Sequence, residues 1–256
     1  MRGIEESNGN PPGNHLWNTY SMHKEDIWVS RARVPVAGTV EQHVEENFDA
    51  TETAADLEFW NLYAPQWAPI SIVPDPGNTR NKCLELRDEE PYDYAAAERA
   101  FPESQRVNVE FRILVRQVGA ATLDFEVQDR HGNRPMRLHL DSEWLAADLR
   151  KQSVDPYSIK AGQWLAVRLA LDCTTQSCDL MVNDETRKKI PFAEKAETLE
   201  RMVFRTGPWC GDVRSAFVDG QPATLGLDQE DLPGADEKVP LSLYLIDDMK
   251  TESHQE

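Results

Sequence analysis

The sequence predicts an all-β protein built as an antiparallel β-sandwich, and three observations predict it. Apolar and polar residues alternate with a period of two through segment after segment, which marks strands with one face in a core and one in water. Turn-forming clusters separate these segments at spacings of roughly 8–15 residues. Segments with helical propensity are few and short.

The elements follow in order. Residues 15–21 (HLWNTYS) and 27–31 (IWVSR) read as two short strands joined across residues 22–26, with a Pro-marked exit at 34–40 (VPVAGTV). A lone pair of strands is marginal in water, so this hairpin needs partners. Alternation then recurs at 107–113 (VNVEFRI), 122–127 (TLDFEV), 137–140 (RLHL), 165–171 (LAVRLAL), 179–183 (DLMVN), 202–205 (MVFR) and 241–246 (LSLYLI). Between them stand the turn signals DPG at 75–77, DRHGN at 129–133, KAG at 160–162 and TGP at 206–208. Residues 95–99, 145–151 and 193–200 are each expected to add a turn or so of helix. Residues 44–250 contain no internal repeat, which argues against a solenoid. The acidic, Pro/Gly-marked stretch 228–238 (DQEDLPGADEK) reads as a loop.

Composition narrows the function classes. The chain has 256 residues, with Lys+Arg 27 against Asp+Glu 45 and a formal charge of -18. That balance argues against nucleic acid, whose phosphates need cationic side chains, and against an anionic membrane surface. Seven Trp, six Tyr and eight Phe supply the material of a folded core. No apolar run is long enough to span a bilayer as a helix, and residues 1–14 lack the apolar stretch of a signal peptide. The cysteines are Cys83, Cys173, Cys178 and Cys210, without a CxxC pair. Cys173 and Cys178 flank the polar linker TTQS. If the linker is a hairpin loop, they either form a disulfide, which suits an oxidising compartment, or stand as two unpaired thiols. The chain shows no GxSxG, Walker, GxGxxG or HExxH motif, and its six histidines show no metal-ligand spacing.

Residues 9–31 (GNPPGNHLWNTYSMHKEDIWVSR) resemble the end of a sialidase-like (BNR-repeat) β-propeller, in which a Tyr-Ser…Lys-Glu-Asp-Ile-Trp-Val-Ser-Arg run closes the last blade. From EENFD at 45–49 to LIDDM at 245–249, the chain resembles the concanavalin A/laminin-G-like jelly roll that some of these carbohydrate-active proteins carry. The matching features are LELRD at 84–88, RAFP at 99–102 and a closing strand ending in Asp-Asp. The resemblance implies a remnant of the last propeller blade at 1–40, a jelly-roll sandwich at 41–251 and a disordered tail at 252–256. It implies that the chain is the C-terminal part of a longer, secreted or periplasmic parent.

Several sites follow from that resemblance. Tyr20, Lys24 and Glu25 place a phenol, an amine and a carboxylate together, the groups that glycoside cleavage uses, or they belong to a turn that pairs charges between blades. Sugars stack their C–H faces on exposed rings, which makes Tyr92, Tyr94, Trp144 and Trp209 candidate glycan contacts in polar, loop-like surroundings. Trp164 opens a strand and is expected in the core; Trp60 and Trp67 are expected at a sandwich edge. First and last strands of a jelly roll often pair, which would join Asp49 to Asp247 and Asp248 as hard oxygen ligands for a structural Ca²⁺. The basic islands 187–189 (RKK) and 130–134 (RHGNR) either meet an acidic polysaccharide or are solvated hairpin ends.

The expected function is a non-catalytic accessory module that binds a polysaccharide or oligosaccharide or braces the upstream propeller of its parent. The alternative expectation is a share in the active centre of an exo-glycosidase or polysaccharide lyase through residues 20–26, active only in the full-length parent.

Overall fold

A computed structural model describes residues 2–4, 15–22, 26–33, 40–57, 59–117, 122–141, 143–147, 156–207, 217–218, 221–222, 234 and 237–253. The chain divides into two compact units, Met1–Thr39 and Val40–Glu256. In the first unit, β2 (His15–Met22) and β3 (Asp26–Arg33) pair antiparallel with Tyr20 opposite Trp28. β1 (Arg2–Ile4) adds a third strand to β2, where the sequence suggested a hairpin of two.

The second unit is a sandwich of two antiparallel sheets. Its strands are β4 (Glu45–Glu46), β5 (Trp60–Tyr63), β6 (Ile70–Asp75), β7 (Asn78–Asp88), β8 (Ala96–Ser104), β9 (Arg106–Gln117), β10 (Leu123–Gln128), β11 (Met136–Leu140) and β12 (Trp144–Ala147). They continue with β13 (Tyr157–Ser158), β14 (Trp164–Asp172), β15 (Ser177–Val182), β16 (Glu185–Pro191), β17 (Leu199–Thr206), the small pair β18 (Phe217–Val218) and β19 (Gln221–Pro222), and β20 (Ser242–Ser253). A seven-stranded sheet runs β13-β12-β11-β10-β17-β8-β5. An eight-stranded sheet runs β16-β15-β14-β9-β20-β7-β6, with β4 added on β20.

The alternating residues meet between the sheets. Phe111 of β9 packs on Phe125 of β10 and Phe204 of β17, with ring centroids 4.5 and 5.1 Å away, and the latter two rings lie 4.9 Å apart. Burial of β10 and β11 follows the sequence pattern: Phe125, Val127, Met136, Leu138 and Leu140 are completely buried.

The expected helical turns are strand or irregular chain instead. Residues 96–99 open β8, where Ala97, Arg99 and Phe101 point inward in alternation. Residues 144–147 form β12, residues 148–151 lie outside the described residues, and residues 193–198 are irregular before β17 begins. Pairing with a neighbouring strand overrides the helical preference of so short an Ala/Glu run. β20 continues through Glu252 and Ser253, so the expected tail at 252–256 loses its first two residues to a strand.

The expected disulfide is also corrected. Cys173 and Cys178 are free, buried thiols, as is Cys83. The β14–β15 register sets Asp172 opposite Ser177 and Leu171 opposite Cys178, leaving Cys173 in the turn rather than across from Cys178. Burial pushes the Cys173 thiol up to about 11, which keeps it protonated and inert. Alkylation in denaturant without reductant should label both residues; a protein 2 mass units lighter carrying a 173–178 link would contradict this register.

Asp88, at the end of β7, is only 1% exposed. Burial raises its carboxyl from 3.8 to about 7, against the pull of Thr206 and of the Glu90 N–H, which donates to it at 2.8 Å. The folded protein therefore holds this proton more tightly than the unfolded chain between those two values. Its contribution to stability is present below pH 3.8 and is lost as pH rises through 7. Asp88→Asn should gain a few kcal/mol relative to wild type as pH climbs across that window, measured by urea unfolding at each pH. A wild-type minus variant difference that stays flat with pH would contradict the assignment.

Candidate functional site on the seven-stranded sheet

The outward face of the seven-stranded sheet is built by the polar positions of the same alternation that fills the core. Register aligns them into continuous rows. One row runs Tyr63 (β5), Ala96 (β8), Arg205 (β17), Asp124 (β10), His139 (β11) and Ala146 (β12), each directly opposite the next. Beside it runs a second row: Asn61, Glu98, Val203, Glu126 and Arg137. On the other side, Gly207 donates its N–H to the Thr122 carbonyl at 2.8 Å, and a Cβ at Gly207 would meet the Thr122 hydroxyl at 2.9 Å. The surface is therefore lowest where Gly207, Ala96 and Ala146 stand.

Charged groups at the centre neutralise one another. Asp124 accepts from His139 at 2.7 Å and from Arg205 at 3.2 Å. Glu126 Oε1 takes Arg137 at 2.9 Å and Arg134 at 3.1 Å, while its Oε2 accepts from Gln128 at 2.7 Å. Arg201 bridges Glu98 at 3.3 Å and Glu200 at 3.0 Å. Burial would raise the Asp124 carboxyl, but the His139 hydrogen bond and the charges of Arg137 and Arg205 outweigh it and hold the group below the usual range. Asp124 is thus a fixed anion, ill suited to donate a proton as a general acid.

Aromatic rings mark both ends. Tyr63 donates its hydroxyl to Asp93 at 2.6 Å and tilts against Tyr94 at 5.6 Å, while the Arg205 guanidinium lies 5.3 Å from the Tyr94 ring centre. At the far end Trp144 is 44% exposed, held on a turn where Asp141 accepts the Glu143 and Trp144 N–H groups at 2.7 Å each. Tyr92 is 41% exposed next to Tyr94. Of the expected glycan contacts, Tyr94 and Trp144 stand on the rim of one face, Tyr92 is an exposed ring beside it, and Trp209 lies outside the described residues. Tyr63, Arg205, Asp124 and His139 were missing from that expectation. Their alternation was visible, but which strands are neighbours was not.

The other candidates are placed differently. Tyr20 lies on β2, in the first unit, and Lys24 and Glu25 lie outside the described residues. Asp49, Asp247 and Asp248 do not assemble a metal centre: among the described residues no group of three His, Cys, Asp or Glu is placed to hold an ion. Asp49 instead accepts the Lys82 N–H at 2.8 Å. Asp247 and Asp248 both engage Arg112, each at 2.6 Å, so a guanidinium supplies the positive charge that Ca²⁺ was expected to bring. A bulge in β20, with Asp248 at φ 48, turns both carboxylates toward that arginine. Trp164 is half-buried beneath the same Arg112, 4.8 Å from its guanidinium, on a small cluster with Cys83, Leu114 and Leu245 apart from the main core. Trp60 does lie on the edge strand β5.

The model of the Sialidase-like, CBM domain family matches residues 60–212. The chain belongs to this family. The matched span contains every strand of the seven-stranded sheet, whereas the eight-stranded sheet draws β4 and β20 from outside it. A sialidase of known structure is similar to this sialidase-like CBM domain protein over 99% of the chain, at 31% identity and a TM-score of 0.76. The chain spans 22% of that sialidase's length. The cellulose induced protein Cip1 shares the fold at 11% identity and a TM-score of 0.54, over 82% of this chain and 97% of its own. The Crh5 transglycosylase in complex with NAG does so at 7% identity and a TM-score of 0.55, over 85% and 86%. No curated protein sequence matches the chain.

Arg205 is the residue on which this face's charge balance turns. Arg205→Ala should destabilise the protein by about 2 kcal/mol, less than for a fully buried pair because the guanidinium is partly solvated. Arg205→Lys should recover only part of the loss, since an ammonium cannot reach both Asp124 and Glu126, which Arg205 meets at 3.2 and 3.7 Å, and stack on Tyr94. Equal stability of all three proteins in urea would show that the network carries no structural load.

Proposed function

We propose that this chain is a non-catalytic glycan-binding module of a longer sialidase-like protein, and that it holds polysaccharide on the outward face of the seven-stranded sheet. The observation that carries this reading is the row of polar side chains with exposed aromatic rings at its two ends. Aromatic rims take the C–H faces of sugar rings, and a fixed network of carboxylates and guanidinia offers acceptors and donors to hydroxyls without reorganising. Family membership supports the carbohydrate partner, and the similarity to part of a sialidase supports a longer parent.

The chemistry of the face favours binding over cleavage. Glycoside hydrolysis needs one carboxyl poised to give up a proton. Asp124 is held ionised, and the Glu126 carboxylate is occupied by two arginines and a glutamine. On an array of immobilised polysaccharides the protein should bind without releasing reducing ends. Trp144→Ala should weaken the binding about fivefold to tenfold, with an unchanged thermal midpoint because the ring is exposed. An array on which nothing is retained, or sugar release from a bound polymer, would overturn the reading.

A further inference from the structure

From the spacing and charge of this face we infer its ligand class: an uncharged oligosaccharide segment of about five rings that lies across the strands from Trp144 to Tyr63. The inference rests on the glycan-binding reading above and adds length, direction and charge to it.

Direction follows from the register. Tyr63 and Ala146 are the two ends of a single row of directly opposed residues, and Trp144 stands two positions from Ala146 on the same side of β12. Low positions at Ala96 and Ala146 flank the taller Arg205 and His139 along this line, and Gly207 lowers the row beside it. A chain crossing the strands therefore meets a ring, a polar floor and another ring. A chain running along the strands would meet only one aromatic end.

Length follows from the strand count. Five strand intervals separate β5 from β12, and at 4.7–4.9 Å each they span about 24 Å, the reach of an oligosaccharide of roughly five pyranose rings. A terminal monosaccharide would fill only one end and leave the other ring unused.

Charge excludes anionic sugars. Arg134, Arg137, Arg201 and Arg205 are matched by Asp124, Glu126, Glu98 and Glu200, with Asp93 adding one more acid at the Tyr63 end. Among the described residues, each of these guanidinia has a carboxylate partner, and the chain as a whole carries -18. A uronate, sulfated or sialylated glycan would have to break an existing pair and work against that net field. Hydroxyl groups need no such exchange.

Calorimetric titration of the intact chain with cello-, xylo- and manno-oligosaccharides, each from disaccharide to octasaccharide, tests all three features. Oligomannuronate and sialyllactose serve as charged probes. Affinity for a neutral series should rise with length, level off near the pentasaccharide, and exceed that for either charged probe. Trp144→Ala and Tyr63→Ala should each weaken the pentasaccharide about fivefold to tenfold and leave the disaccharide nearly unaffected. Thermal midpoints identify any variant that fails to fold, and Tyr63→Phe, which keeps the ring, should then bind within twofold of wild type. Disaccharide binding as tight as pentasaccharide binding, tighter binding of a charged probe, or indifference to both aromatic substitutions would overturn the inference. A polysaccharide array that retains the protein alongside three silent neutral series would overturn the inference alone, whereas an empty array removes the glycan-binding reading with it.

Discussion

The contact between Phe125 and Phe204 sets the geometry of everything on the other side of the seven-stranded sheet. The two residues are directly opposed on β10 and β17, and both pack on Phe111 of the facing sheet. A slip of one residue in either strand would turn its buried ring away from Phe111 and toward water, so the pairing is strongly specified. Because side chains alternate, that same pairing places Asp124 opposite Arg205 on the outward face. The polar row is in this sense a consequence of the core, and its rigidity comes from the core as well.

The face is held by charge in a way that an apolar sheet is not. Asp124 and Glu126 are nearly buried, a position that carboxylates tolerate only when paired. The arginines that pair them are themselves partly exposed, and Arg205 lies over Tyr94. The result is a surface whose donors and acceptors are fixed before any ligand arrives, which limits the ordering cost of binding. The eight-stranded sheet uses the same device where Arg112, lying over Trp164, joins Asp247 and Asp248. There it occupies the carboxylates that the sequence offered for calcium.

Much of the fold was legible because period-two alternation is a local property. The strands at 107–113, 137–140, 165–171 and 202–205 each appear within the observed β9, β11, β14 and β17, and that at 122–127 begins one residue before β10. Where the sequence misled, long-range pairing decided the outcome. The Ala-rich run at 95–99 became β8 because a neighbouring strand was available on both sides. Cys173 and Cys178 looked like a bridged pair because the hairpin was recognised but not its register. The candidate face was half legible for the same reason. Tyr94 and Trp144 could be picked out as exposed aromatics in polar contexts, while Tyr63, Arg205 and His139 gain their meaning only from the strand order, which no local pattern encodes.

A glycan lying across the outward face of the seven-stranded sheet would perturb the amides of that face. Backbone amide NMR of the intact chain, titrated with a neutral pentasaccharide that it binds, tests this most directly. Shifts concentrated at Tyr63, Ala96, Arg205, Asp124, His139 and Trp144 are the predicted result. Shifts confined to Arg168, Asp179 and Lys188, on the outward face of the other sheet, would contradict it.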